Sequence, residues 1–249
     1  MTAAALAFDG GQFEEQGYMV WPGAIDVDPM RAEVAAMLAS DEQDGVIRNI
    51  DGSLRPRNVF RVPAVRRFIT AQALAATVRS RFTNDPILCS LGVNCVLPGS
   101  AGMGIHKDYP YFSRQKQASG GPLLCLQLIL SLDGMTEENG ATTVFPGSHS
   151  GKLARPLRLC CEPGTLILFH GALMHGVEPN RSAQRRTNLL ASFCPHWVRP
   201  FSDLVSERTP EELSDPALRH LLGLDFSERV ANDIPYSGFG QNGRTSRTA

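Results

Sequence analysis

Residues 87–100 read ILCSLGVNCVLPGS and residues 122–134 read PLLCLQLILSLDG. Three shorter runs follow: ATTVFPGS (141–148), GTLILFHG (164–171) and TNLLASFCP (187–195). Each is an apolar run too short for a typical helix and closed by Gly, Pro, Asn or Ser, the residues that turn a chain between antiparallel strands. A β core is therefore expected over about 87–200, plausible as a jelly-roll barrel. Outside it the pattern turns helical. Asp28-Pro29 offers an N-cap and a first-turn proline for a helix to about Ser40. Val65, Phe68, Ile69 and Leu74 give an apolar face to a second helix over Ala64–Arg81. Thr209-Pro210-Glu211-Glu212 starts a third that reaches about Leu222. The expected class is α+β, a double-stranded jelly-roll core with flanking helices. It reads as one domain over 1–249, with a mobile Ser/Gly/Thr-rich tail from about 237 to 249.

The bulk properties narrow the function. The 249 residues carry 24 Lys plus Arg against 25 Asp plus Glu, a net charge of −1 that gives no long-range pull toward nucleic acid or anionic lipid. No stretch has the form of a signal peptide or a bilayer span. The six cysteines include no Cys-x-x-Cys pair and read as reduced thiols in a cytoplasmic protein. The expected partner is a small molecule, with no nucleic acid and no membrane; oligomeric state is not legible.

Between the first two β runs lies Ile105-His106-Lys107-Asp108-Tyr109. Side chains two apart on an extended segment point to the same side, so His106 and Asp108 can bind one ion together. His175 follows the strand-like run 164–169, where a barrel can bring it opposite the first pair. Two histidines and one carboxylate on one face of an octahedron suit non-haem Fe(II), leaving positions for a bidentate cosubstrate and O2. In RSAQRRTNLL (181–190) a hairpin would return an arginine beside that histidine. Arg185 and Arg186 differ in side of the strand; Arg186 is preferred because it shares a face with Asn188, Leu190 and Ser192. Its planar fork matches a carboxylate.

His106-x-Asp108, then Glu137-Glu138-Asn139-Gly140-Ala141-Thr142 leading into Phe145-Pro146-Gly147-Ser148-His149, then His175 with Arg186 downstream, resemble the phytanoyl-CoA dioxygenase family over about 87–195. The resemblance implies a double-stranded β-helix, Fe(II) on His106, Asp108 and His175, and 2-oxoglutarate gripped by Arg186, with Thr142 at a second cosubstrate contact. It implies O2-dependent activation of a C–H bond with release of succinate and CO2. Asp108 argues against halogenation, because related halogenases carry a small residue there. By analogy the reaction tailors a secondary metabolite such as an antibiotic, through hydroxylation, cyclisation, desaturation or epimerisation; a fatty acyl-CoA, amino acid or osmolyte is the alternative substrate. Some relatives carry a glutamine just before the first iron histidine, where this chain has Gly102, Met103 and Gly104. Asn94 and Gln127 could replace it, although each reads first as a structural strand amide.

Other residues weigh less. His149 reads as a turn cap, His170 as a core histidine, and His196 and His220 as structural or exposed. Tyr109, Tyr111 and Phe112 suit either a pocket lining or barrel-mouth packing, and Ser113–Gly121 either a lid or an inert loop. A non-catalytic jelly roll and a zinc hydrolase are the competing classes. The first leaves an intact ligand set idle, and the second leaves Arg186 unexplained.

Overall fold

The computed structural model describes residues 9–44, 51–56, 58–111, 122–152, 154–206 and 208–226. Among the described residues nine strands form two antiparallel sheets. The major sheet takes β1 (Tyr18–Trp21), β7 (Leu166–His170), β4 (Leu126–Ser131), β9 (Arg186–Pro195) and β2 (Pro86–Val96), in that order. The minor sheet runs β3 (Met103–His106), β8 (His175–Val177), β5 (Thr142–Val144), β6 (Leu157–Leu159). Two facing antiparallel sheets closed by crossing connections make the expected jelly roll.

The near-continuous apolar character of the long strands follows from burial on both faces. On β4, Leu126, Leu128 and Leu130 pack outward with Val34, Leu38, Val65 and Leu74 from the helices. Its alternate residue Ile129 faces inward, into a cluster with Ile167, Phe169, Val144 and Leu173 between the sheets. Each fully buried leucine contributes roughly 1.5–3 kcal/mol. The helices are α1 (Gly10–Gln16), α2 (Asp28–Asp44), α3 (Pro63–Ile69), α4 (Gln72–Arg79) and α5 (Pro216–Leu221).

Four expectations change. The core recruits β1 from the N-terminal side: Tyr18 to Trp21 pair with Phe169 to Leu166 and cover an edge that 87–195 alone leaves open. Helix α2 begins at Asp28 itself, with Asp26 accepting from the Asp28 N–H at 3.2 Å, and runs past Ser40 to Asp44. The helix expected over 64–81 is two helices. Thr70 leaves helical geometry while its Oγ1 donates to Arg66 O, and Ala71 is extended as the N-cap of α4; Val65, Phe68, Ile69 and Leu74 are still buried. At Thr209 the reciprocal cap forms, Thr209 N–H to Glu212 Oε2 and Glu212 N–H to Thr209 Oγ1, both 3.1 Å. The helix it starts ends after a single 3-10 turn, because Asp215, ahead of a proline, is extended and caps α5 instead. The expected tail at 237–249 lies outside the described residues. Among the described residues no helix is long and apolar enough to cross a membrane.

Candidate active site

Strands β3 and β8 pair so that His106 lies directly across from His175, with ring centroids 4.3 Å apart. The pair is drawn close by two glycines. Gly102 has φ +75°, and a Cβ there would stand 2.3 Å from Val177 O; a Cβ on Gly176 would stand 2.8 Å from Met103 O. Asp108, anchored by its N–H to Gly171 O at 2.9 Å, completes a triangle: Oδ1 is 3.6 Å from His106 Nε2 and Oδ2 is 3.3 Å from His175 Nε2. The three ligand atoms all lie within 4.8 Å of one another.

Both imidazoles are held in one tautomer. His106 Nδ1 donates to Gly104 O at 2.8 Å and His175 Nδ1 to Leu173 O at 2.9 Å, so each Nε2 presents its lone pair to the shared point. The protonation tendencies of the two rings diverge. For His106 burial is the largest influence and lowers its pKa, yet the Asp108 and Gly104 partners outweigh it and the net shift is upward. For His175 burial dominates and the net shift is downward, Asp108 opposing it. A carboxylate between two oriented nitrogen donors is a site that attracts one cation. The donor set fits a divalent metal with open positions, of the kind used by non-haem iron.

A cavity of about 360 Å³ opens onto this triangle, a size suited to small organic ligands. Arg186, at the start of β9, lines it and is 1% exposed. Nη2 donates to Gly140 O. Nη1 donates to the Asn188 side-chain oxygen at 2.7 Å, with that amide oriented so that its nitrogen donates to Thr187 O. Nε has no partner, and burial pushes the guanidinium down to about 10. Arg185 is exposed and points elsewhere, so the strand parity that favoured Arg186 matches its position in the cavity. Thr142, opposite Val177 on β5, is also on the wall and has only the Met135 sulfur, at 3.6 Å, beside its hydroxyl.

The amides are where the sequence reading needs correcting. Asn94 and Gln127 both line the cavity, and the buried Asn94 Oδ1 has no partner, which a structural strand amide would have. The signal was available: β2 pairs with β9 so that Asn94 faces Asn188 and Ser90 faces Ser192, a polar stripe opposite a polar stripe. Missed outright were Arg55, from the segment between α2 and α3, and Phe201, both cavity residues that no spacing ties to the histidines. Tyr109 lines the mouth, its ring 5.6 Å from Phe201 and its hydroxyl donating to Arg199 O. Tyr111 instead packs in a small core with Cys125 and Ala172. Phe112 and the loop 113–121 lie outside the described residues.

His149 sits in the 3-10 turn Ser148–Ser150, with Nε2 donating to Glu14 O at 3.2 Å, a tie to α1 rather than a cap. His170 is a core residue that accepts from the Ala172 N–H at 3.0 Å. His196 stacks on Phe226, and His220 lies 3.9 Å from Asp85. All six cysteines are free thiols; Cys160 is exposed. A second cavity of about 450 Å³, between α4 and α5, holds no comparable ligand set.

The phytanoyl-CoA dioxygenase family model matches residues 13–188. The chain belongs to the phytanoyl-CoA dioxygenase family. That match takes in β1 through the start of β9, and so all five residues singled out from the sequence. The chain is similar to the dioxygenase trt7 of Aspergillus terreus, 34% identical over 137 residues that cover 51% of this chain and 48% of the relative. It thus spans about half the length of the curated relatives it matches. Among solved structures it resembles the epimerase SnoN from nogalamycin biosynthesis, in complex with Fe3+, alpha ketoglutarate and nogalamycin RO (16% identical, 80% of this chain and 88% of that one, TM-score 0.63). It also resembles EctD from S. alaskensis with 2-oxoglutarate and 5-hydroxyectoine (20% identical, 84% of each chain, TM-score 0.65). At these identities the likeness establishes the shared jelly-roll fold.

Proposed function

We propose that this protein is an Fe(II)- and 2-oxoglutarate-dependent oxygenase that activates a C–H bond of a small organic molecule, in the tailoring of a secondary metabolite. His106, Asp108 and His175 are the metal ligands, and Arg186 with Thr142 holds the cosubstrate. The observation that carries the reading is a preformed triangle of two oriented imidazoles and a carboxylate beside a buried arginine that has no carboxylate partner among the described residues. The dioxygenase names of the curated relatives and the metal and 2-oxo acid held by the structural neighbours support it. We read it further as a soluble, cytoplasmic, single-domain enzyme that acts on neither nucleic acid nor membrane.

When bound, the metal with 2-oxoglutarate and O2 supplies an oxidant able to remove hydrogen from an unactivated C–H bond, with release of succinate and CO2. The chain's own contribution is orientation and exclusion of water. The Gly104 and Leu173 carbonyls fix the imidazole tautomers, and Asp108 contributes the anionic ligand. Arg186 draws a remote carboxylate to the buried end of the cavity, where a planar fork at low dielectric binds it far more strongly than in water. Tyr109 and Phe201 form an apolar rim over the mouth.

Anaerobic titration of the Fe(II)-loaded protein with 2-oxoglutarate tests this directly. A visible metal-to-ligand charge-transfer band is expected for wild type, lost in His175→Ala and requiring much more cosubstrate in Arg186→Ala. A folded, iron-loaded wild type without the band would sink the proposal.

A further inference from the structure

Beyond Arg186, two further cationic residues border the cavity, Lys107 and Arg55. Lys107 alternates with the ligands His106 and Asp108, and its charge acts on His170 instead, which leaves Arg55 as the second cation directed at the cavity. Leu54 bridges Cys95 through both backbone hydrogen bonds (Leu54 N–H to Cys95 O at 2.8 Å, Cys95 N–H to Leu54 O at 3.0 Å), which adds a short segment to the free edge of β2. Leu54 and Cys95 point into the helix-side core. By the alternation of extended chain their neighbours Arg55 and Asn94 therefore point the other way, and both line the metal cavity. Arg55 shares that wall with His106, and its charge opposes protonation of the His106 ring.

Arg55 has none of the partners that a structural arginine keeps. Among the described residues it makes no hydrogen bond and no ion pair, and its Nε is buried with no acceptor. Asp108, the one carboxylate among the described residues on the cavity wall, is committed to the two histidines. Arg55 is half-buried with a buried, unpartnered Nε, and an unpaired guanidinium on a cavity wall is placed to meet an anion that arrives with a ligand.

We propose that Arg55 is a second carboxylate anchor of the cavity, and that the carboxylate it holds belongs to the organic substrate. The inference rests on the function proposed above and deepens it. Counting charge assigns the source. A divalent metal and Arg186 bring three positive charges; Asp108 and a dianionic 2-oxo acid bring three negative ones. That set balances without Arg55, which leaves one positive charge for a further anion. The substrate is accordingly an organic acid. Its carboxylate sits beside Asn94, and its carbon skeleton is covered by the Tyr109 and Phe201 rim. The same fork could instead meet the metal-side carboxylate of the cosubstrate, and the experiment separates the two.

The Fe(II) protein, as wild type, Arg55→Gln and Arg55→Lys, is titrated anaerobically with 2-oxoglutarate and with pyruvate, a 2-oxo acid that lacks the remote carboxylate. The 2-oxoglutarate complex is then titrated with phenylacetate and with phenylacetamide, and binding is read by calorimetry. Expected is a roughly tenfold or greater preference of wild type for phenylacetate, the scale of a charge-assisted pair. Arg55→Gln should lose the preference and Arg55→Lys keep part of it, with 2-oxoglutarate and pyruvate binding unchanged within about twofold. A tenfold rise in the 2-oxoglutarate and pyruvate requirement of Arg55→Gln would move the anchor to the cosubstrate and overturn the substrate assignment. Equal binding of acid and amide by wild type, or no binding of either, overturns it as well. Absence of the charge-transfer band in wild type marks failure of the underlying oxygenase reading, a result distinct from all of these.

Discussion

Replacing Arg186 by methionine should separate stability from function. The wild-type guanidinium is 1% exposed and is pushed by burial from its ordinary value down to about 10, a depression that corresponds to about 3 kcal/mol against the charged form. Gly140 O and Asn188 recover part of that cost, while the unpartnered Nε adds roughly 1–3 kcal/mol more. Methionine fills similar space with no charge to desolvate, but leaves Gly140 O without its donor. These effects nearly cancel, so the ligand-free variant should unfold within about 2 kcal/mol of wild type in either direction, as when buried charges are exchanged for apolar groups. With cosubstrate the comparison changes. Two charge-assisted bonds at about 1.5–3 kcal/mol each predict a loss of about 10²–10⁴ in 2-oxoglutarate affinity. Urea unfolding with and without 2-oxoglutarate, on metal-loaded protein, reads both quantities. Wild type should gain about 2.7 kcal/mol at a hundredfold excess over Kd, and the variant almost nothing. A ligand-free variant destabilised by more than about 4 kcal/mol, or one that gains as much as wild type from cosubstrate, would refute a ligand-dedicated Arg186 and make the residue structural.

Three further outcomes are expected. His175→Ala should remove stoichiometric Fe(II) binding in equilibrium dialysis while the far-UV circular dichroism is retained, since the ring's contacts are local to the triangle. A Cβ built on Gly92 meets nothing within 4 Å, and strand parity with Ser90 and Asn94 turns it into the cavity. Gly92→Leu should therefore fold with unchanged or higher Tm and keep its 2-oxoglutarate midpoint while the cavity shrinks; a fall in stability above about 1 kcal/mol would show that the space is closed. His170, pushed down to about 3 chiefly by burial, must stay neutral in the folded state, whereas the unfolded chain takes up its proton near 6.5. Stability is then fully present above 6.5 and lost as pH falls through the window between 6.5 and about 3, at up to about 1.4 kcal/mol per pH unit. His170→Asn should flatten that acid branch in urea midpoints measured at pH 7 and pH 5.

What could be read from the sequence is governed by whether a residue's role is local. The strands of 87–195 are legible because burial on both faces forces long apolar runs, and His106 with Asp108 because a two-residue spacing maps directly onto one side of an extended chain. Arg186 follows from the same period. β1 is not legible, because YMVW is a four-residue run whose partner, β7, lies almost 150 residues downstream. The break at Thr70 is hidden for a different reason: Thr70 and Ala71 carry no Gly or Pro, and the helix yields to packing that sequence periodicity does not record. Arg55 is hidden because one isolated bridge to Cys95 aims it, and no pattern announces a single bridge.

The division of labour between the sheets explains why such a site tolerates a varied cavity. The metal triangle hangs on strands of three or four residues, too short for their own ladders to hold a geometry firmly. Rigidity comes from elsewhere. Gly102 and Gly176 let the two backbones approach closer than any side chain would allow, and the Asn180 amide ties Val96 O (3.0 Å) to Gln184 O (2.8 Å), clamping the minor sheet to the end of β2. The opposite wall belongs to the major sheet, whose outward leucines pack in the main apolar core, while its inward residues Ser90, Gly92, Asn94, Asn188 and Ser192 lie outside that core. Asn188 apart, which holds Arg186, substitution along that inward stripe reshapes the room above the metal without touching either the core or the metal ligands. Substrate identity is therefore written where folding constrains the sequence least, which is also why the metal and cosubstrate residues are easier to read than the substrate.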